Sequence, residues 1–269
     1  MTSAPAVPRT EPELVARLRA AGCVFAEDEA ALLSAEASSA VELESMVGRR
    51  VAGEPLEVVV GWAELAGTRV TVARGVFVPR QRSALLVRLA VARAAPGAVV
   101  VDLGCGTGAL SAAVTARVPG LQLWAVDVDP AAVACARLNL PAGRVLLGDL
   151  YAPLADGLRG RVDVLIANAP YVPTDEIAHM PPEARDHEHR VALDGGADGL
   201  DVQRRLIAGA EHWLRPGGVV LAEVSAGQAP PVAELMRGAR LDPSIHTDES
   251  IGATAVLGRA AGPAAGRAG

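Results

Sequence analysis

The chain has 269 residues and a mass of 27.5 kDa, enough for one large domain or one domain with a small accessory unit. Hydrophobic residues make up 51% and charged ones 21%, so a packed core is within reach and global disorder is excluded. The net charge of −6 argues against a broad phosphate-binding surface. Every basic residue is arginine, which reads as codon bias rather than function.

Cys23, Cys105 and Cys135 lie far apart and form no CxxC pair, so neither a disulfide scaffold nor a thiolate metal site is indicated. No stretch approaches the roughly 18 apolar residues of a membrane span, and the N-terminus has no apolar leader core. A reducing, cytoplasmic setting is expected.

Residues 1–12 are Pro-rich and read as loose. From 13 to 50, Ala, Leu and Glu recur at helical spacing (Leu14 and Leu18, Ala30 and Leu33, Met46 and Val47), with Gly22 and Gly48 as stops. This predicts two or three helices. Two β-rich runs follow at 56–62 and 68–72, with Gly67 in the turn between them. Ser83 is a good N-cap for a helix over 84–94.

Strands and helices then alternate: strands at 98–103, 121–126, 145–147, 162–167 and 219–224, helices at 109–118, after Asp129-Pro130, and at 201–214. The strands are apolar without alternation, which implies a parallel sheet covered on both faces. A helix over 231–238 and weaker strands at 244–247 and 253–257 close the pattern, before an Ala/Gly-rich tail. The expected division is an N-terminal helical unit over 1–53, a hairpin connector over 54–82, an α/β domain over 83–260 and a tail over 261–269.

The first strand runs through Asp102 and Leu103 into Gly104-Cys105-Gly106-Thr107-Gly108. Glycines here let a ligand approach the backbone and supply dihedrals that a Cβ forbids. The motif also fits a dinucleotide fingerprint through Ala109, but a pyrophosphate would be repelled by Asp102. S-adenosylmethionine carries an ammonium and a sulfonium and no phosphate, so it suits an acid there better. Asp127, 21 residues beyond Gly106, is placed to accept ribose hydroxyls, which both cofactor types share. Asp149, followed by Leu150, is a candidate for the adenine amino group or simply a turn residue.

The strand 162–167 feeds into Asn168-Ala169-Pro170-Tyr171, beyond the carboxyl end of the sheet where open α/β folds bind ligands. An amide or exocyclic amine has a delocalised lone pair and is a poor nucleophile. An Asn carbonyl oxygen and a neighbouring backbone carbonyl can accept its two N–H bonds, fix its plane and stabilise the positive charge that grows on nitrogen. A Tyr ring can cover the planar group.

These segments resemble the class I S-adenosylmethionine-dependent methyltransferases, and within them the HemK-like protein-(glutamine-N5) methyltransferases that modify peptide chain release factors. The resemblance rests on Gly53-Glu54-Pro55-Leu56-Glu57 with Trp62 and Glu64, Gly75-Val76-Phe77-Val78-Pro79-Arg80, Asp102–Gly108, Asp127, Gly148-Asp149, the tetrad, and the Leu193–Asp201 stretch. It implies a seven-stranded Rossmann-like sheet with a small N-terminal helical domain that docks the substrate. It also implies S-adenosyl-L-methionine as cofactor and S-adenosyl-L-homocysteine as product. The implied acceptor is the glutamine of a Gly-Gly-Gln loop on a release factor, held by Asn168, Ala169, Pro170 and Tyr171. Asp102, Gly104, Cys105, Gly106, Thr107, Gly108, Asp127, Asp149, Leu150 and Asn168 would hold the cofactor.

Two departures stand out. Ala169 replaces the first proline of the family's Asn-Pro-Pro-Tyr, and Pro79-Arg80-Gln81-Arg82-Ser83-Ala84 lacks two acids of the family's Pro-Arg-Pro-Glu-Thr-Glu. They point to a sister branch. Two alternatives stay open: methylation of an exocyclic amine of a base in RNA or DNA, and cofactor binding without turnover. Negative charge and the lack of a separate basic domain count against nucleic acid.

His179, Glu183, His187, Glu188 and His189 cluster without metal-ligand spacing, so no metal is expected. They read as a polar loop beside the substrate channel, with Glu183 a candidate substrate contact. Cys105 has no base nearby in sequence and reads as a small filler of the turn rather than a nucleophile.

Overall fold

The computed structural model describes residues 11–140 and 144–262. Most of the Pro-rich start and of the C-terminal tail lies outside the described residues.

Three helices open the chain: α1 (Glu11–Ala20), α2 (Ala26–Glu36) and α3 (Ala40–Val51). Their apolar faces meet in a small core of Leu14, Leu18, Ala30, Leu33, Met46 and Val47. Gly48 does not end α3, which runs on to Val51; the chain turns instead at Gly53, whose φ is +92°. The run at 56–62 is not a strand either. Leu56–Val60 forms a short helix, α4, between Pro55 at its start and Gly61 in a left-handed conformation at its end. Burial of Val58 and Val59 overrides the β preference of three consecutive valines. Val59 packs into the three-helix core, so that core extends past residue 53.

The hairpin proper is β1 (Trp62–Leu65) paired with β2 (Thr68–Thr71). Its two-residue turn, Ala66-Gly67, has both φ values positive, as a tight hairpin matched to strand twist requires.

The rest is one mixed sheet of seven strands. In chain order these are β3 (Val99–Leu103), β4 (Gln122–Asp127), β5 (Val145–Leu147), β6 (Val162–Ala167), β7 (Leu214–Glu223), β8 (Leu241–Asp248) and β9 (Ala253–Ala260). The spatial order is β5-β4-β3-β6-β7-β9-β8. The first five strands are parallel, but β9 pairs antiparallel with β7 and with β8. The sheet is therefore not wholly parallel. The reason is local: β8 and β9 are joined by a short turn, too short for a parallel crossover.

Helices α5 (Ala84–Val91), α6 (Ala109–Arg117) and α7 (Pro130–Asn139) belong to one face, and α9 (Asp201–Trp213) and α10 (Ala229–Gly238) to the other. Short α8 (Pro182–His187) lies in the insertion between β6 and α9. Chain order reverses beside β3, where β4 lies on one side and β6 on the other, and the carboxyl ends of these strands form the cleft that open α/β sheets use. Among the described residues no helix is long and apolar enough to cross a membrane.

The bundle is tied to the insertion by charge. Arg50 of α3, only 6% exposed, donates to Glu29 of α2 at 2.6 Å and meets Glu183 of α8 at 2.7 Å. Glu54 accepts from both Arg49 and Arg74, and these cations hold its carboxyl near pKa 2.

Candidate functional site

A cavity of about 280 Å³ opens at the carboxyl ends of β3, β4 and β6. Its floor is the turn after β3. Gly104 and Gly106 have φ of +73° and +55°, and a methyl group built on either would meet nothing within 4 Å. The chain thus exposes backbone to the cavity at two places that only glycine adopts without strain. Gly108, with φ +77°, serves packing instead, since a Cβ there would lie 2.8 Å from Leu140.

Two carboxylates support this floor. Asp127, at the end of β4, accepts from the backbone N–H of Gly106 at 2.8 Å and of Asp129 at 2.9 Å. Burial raises its pKa and these backbone donors oppose the rise. Asp102 is fully buried beneath the turn and does not line the cavity. Its Oδ2 accepts from Ser111 Oγ at 2.7 Å, and its Oδ1 has no hydrogen-bond partner. Burial pushes Asp102 up to about 6.

A buried carboxylate with an unanswered oxygen, beside the half-buried Asp127, makes the floor a place for positive charge. S-adenosylmethionine fits that charge, and its lack of phosphate fits the acids. Asp127 retains lone pairs for ribose hydroxyls. Cys105, Thr107, Asp149, Leu150, Asn168, Ala169 and Pro170 line the cavity as well. Asp149 is already engaged, accepting from Arg205 of α9 at 2.5 Å.

The rim carries the tetrad. Asn168 leaves β6 and donates through Nδ2 to Ser83 Oγ at 3.1 Å. Tyr171 stands off the cavity lining. Its hydroxyl donates to Glu223 Oε1 at 3.3 Å, and its backbone carbonyl accepts from Gln228 at 2.8 Å. Burial, and next the negative charge of Glu223, raise the Tyr171 pKa to about 12. Arg82 donates to the same Glu223 oxygen at 3.0 Å, with its guanidinium 5.8 Å from the Tyr171 ring centroid. Gly199 closes the rim: a Cβ there would fall 2.3 Å from the Tyr171 carbonyl oxygen.

Ser83 corrects an expectation. Its helical dihedrals carry the 3-10 turn Gln81–Ser83 straight into α5, so its side chain caps no backbone N–H and its hydroxyl meets Asn168 instead; α5 begins at Ala84 and ends at Val91. Glu183 is drawn to Arg50, and Glu188 is buried, accepting from Arg80 at 2.6 Å and from the Val78 N–H at 3.2 Å. His189 bonds Asp129 at 2.6 Å.

Residues on the cavity wall that sequence reasoning did not place at the site include Phe77, Pro79, Ser83, Val191, Val202 and Arg205. Glu223 was also missed, although a lone acid ending the apolar run of β7 was a visible signal.

The chain matches the family described as Methyltransferase small domain over residues 69–180. It is 38% identical to a release factor glutamine methyltransferase of Geobacter sulfurreducens over 70% of its length, and spans 66% of that relative, just under two thirds. It is 36% identical to a release factor glutamine methyltransferase of Moorella thermoacetica, over 85% of this chain and 77% of that one. Among solved structures, a 16S rRNA methyltransferase of T. thermophilus in complex with AdoMet and guanosine superposes with a TM-score of 0.50 at 21% identity, covering 74% of this chain and 49% of the other. That last likeness concerns the fold.

Proposed function

The chain belongs to the release factor glutamine methyltransferase family, and from that premise we propose that it transfers a methyl group from S-adenosylmethionine to the side-chain amide nitrogen (N5) of a protein glutamine. The acceptor in this reading is the Gly-Gly-Gln loop of a peptide chain release factor, met in the cytoplasm. The observation that carries it is the placing of Asn168, an amide with its nitrogen already engaged, in the wall of the cavity whose floor is the glycine turn and Asp127.

When bound, S-adenosylmethionine supplies an electrophilic methyl group and departs as S-adenosylhomocysteine. Gly104 and Gly106 would bring backbone against it, Asp127 would accept from its ribose, and Asp102 would add negative potential. Asn168 Oδ1 accepts one N–H of the substrate amide, and the backbone around Ala169 and Pro170 accepts the other. Both acceptors hold the amide plane against the methyl donor and favour the charge that develops on nitrogen. No side chain has to remove a proton before transfer, because the nitrogen becomes acidic only once methylated and its proton then passes to water. Tyr171, fixed through Glu223, Arg82 and Gln228 behind the cavity wall, steadies the backbone of the tetrad that meets the amide.

The test is methyl transfer from labelled S-adenosylmethionine to a purified release factor, with the modified peptide mapped by mass spectrometry. The expected result is one added methyl group on the Gly-Gly-Gln glutamine. Asn168→Ala should lower turnover by roughly a hundredfold or more while cofactor affinity stays within a few-fold. Label that appears only in added RNA or DNA would overturn the reading.

A further inference from the structure

We propose that Arg205 is a positioning residue for base recognition: it holds the carboxylate of Asp149 so that one oxygen meets the exocyclic amine of the cofactor's adenine. The proposal rests on S-adenosylmethionine as the cofactor and is independent of which acceptor takes the methyl group.

The sheet itself orders the parts of the cofactor. Along its carboxyl edge, β5, β4, β3 and β6 lie in that spatial sequence. They lead into Asp149, Asp127, the glycine turn and Asn168 respectively. A methyl group that reacts beside Asn168 places the sulfonium at that end, and a ribose on Asp127 then leaves β5 for the base. The base end of the cavity is thus the wall that holds Asp149, Leu150 and Val202.

Charge singles out Arg205. It is the one basic side chain among the described residues that line this cavity. A cation in the wall of a site for a positively charged ligand costs affinity, and the cost is least at the end far from the sulfonium. Arg205 stands at that end, where it donates to Asp149 Oδ2 at 2.5 Å. A guanidinium only donates and a carboxylate only accepts, so this contact has a single polarity. With Oδ2 taken, Oδ1 is the acceptor left for an amine. A base that covers Asp149 also takes its charge out of water, and the opposite charge of Arg205 offsets that loss.

The two side chains are 58% and 52% exposed, and an ion pair so open to solvent holds little by itself. Their spacing is set by other contacts. Tyr151, two residues beyond Asp149, donates to the carbonyl of Leu206, next to Arg205, at 2.6 Å. The Tyr151 ring stacks on Trp213 with centroids 5.6 Å apart, in room left by Gly209, where a Cβ would fall 2.4 Å from that ring. On the other side, the Gly148 N–H donates to the Asp127 carbonyl at 2.9 Å. Leu150 between these anchors is held at φ +46°, a backbone that its surroundings must impose. The turn bearing Asp149 is therefore fastened both to α9 and to the acid assigned to the ribose.

The test is calorimetric titration of the whole chain with S-adenosylhomocysteine and with S-inosylhomocysteine, in which a carbonyl replaces the exocyclic amine. Wild type should prefer the adenosyl compound about thirtyfold or more, because the carbonyl sets an oxygen against the carboxylate. Arg205→Met should narrow that preference about tenfold, through weaker binding of the adenosyl compound, with the thermal midpoint nearly unchanged. Asp149→Asn should abolish the preference, since its amide offers a donor as well as an acceptor. Arg205→Met placed on top of Asp149→Asn should then change neither affinity by more than about threefold.

An undiminished preference in Arg205→Met would overturn the proposal. So would an equal loss of affinity for both compounds, which would mark a packing role. A further loss of selectivity in the double variant would show Arg205 acting on the base directly rather than through Asp149. None of these titrations involves an acceptor, so a failure of the glutamine reading leaves their outcome intact, and an undiminished preference leaves that reading intact.

Discussion

The floor and the rim of this cavity are built in different ways. The floor is one continuous stretch of chain, Gly104 to Gly108, with Asp127 brought beneath it by the next strand. The rim is assembled from five distant places: Arg82 and Ser83, the tetrad 168–171, Glu188, Gly199 and Glu223. Local geometry suffices to bind a nucleoside cofactor. Holding a planar amide in one orientation needs walls that meet from several directions, and here those walls are held by buried carboxylates rather than by apolar packing alone.

The sharpest way to break this division is to place a methyl group on a glycine of each region. Gly199→Ala would add a Cβ 2.3 Å from the Tyr171 carbonyl at a residue with φ +76°. Backbone carrying the tetrad would have to shift, and a shift near 1 Å at reacting groups costs about a hundredfold in rate. The expected result is a loss of that order in kcat with cofactor Kd nearly unchanged. Gly106→Ala meets no atom within 4 Å but has φ +55°, so the cost is strain in the turn, about 1–3 kcal/mol. It should weaken cofactor affinity more than kcat. Calorimetric titration and steady-state rates on the two variants separate the outcomes; equal effects on Kd and kcat in both would erase the distinction between floor and rim.

A smaller effect tests the carboxylates that hold the rim. Glu223 is 2% exposed and has one oxygen without a partner, so removing Arg82 leaves its charge answered by the Tyr171 hydroxyl alone. Arg82→Leu should slow turnover about tenfold and lower stability by about 2 kcal/mol. Glu223→Gln placed on top of Arg82→Leu removes the uncompensated charge and should restore much of the stability. A double variant no more stable than Arg82→Leu would show that the pair does not hold the rim through charge.

The same contrast explains what was legible in the sequence. Strands β5 and β6 fell where periodicity placed them, because a buried apolar run bounded by turns has few other uses. The glycine turn and Asp127 were legible for the same reason: their spacing is local. Leu56–Val60 misled because three valines in a row favour a strand, while Pro55 and Gly61 frame a helix that buries two of them. Ser83 misled because a cap needs a non-helical backbone, and only the fold shows that the 3-10 turn Gln81–Ser83 runs straight into α5. The clasp of Arg82 on Glu223 spans 141 residues, a distance over which one sequence carries no pairing signal.

The mildest prediction concerns the floor, where binding and stability should move in opposite directions. Asp102 has its pKa raised by burial to about 6, from the 3.8 of a free aspartate. The folded protein therefore takes up a proton that the unfolded chain does not over that interval. The sign follows: this group's contribution to stability improves as pH falls from about 6 toward 4, and above 6 its charge is a standing cost on the order of 3 kcal/mol. Asp102→Asn should accordingly raise the thermal midpoint of the cofactor-free protein at pH 7 and flatten that pH dependence. It should also weaken binding of the positively charged cofactor a few-fold, and remove the loss of affinity expected of wild type as Asp102 protonates below pH 6. Melting curves between pH 4 and 8, with and without S-adenosylmethionine, read both quantities. A variant less stable than wild type at pH 7 would mean that the Asp102 charge is compensated in the fold, and that the floor holds its acid for structure rather than for the cofactor.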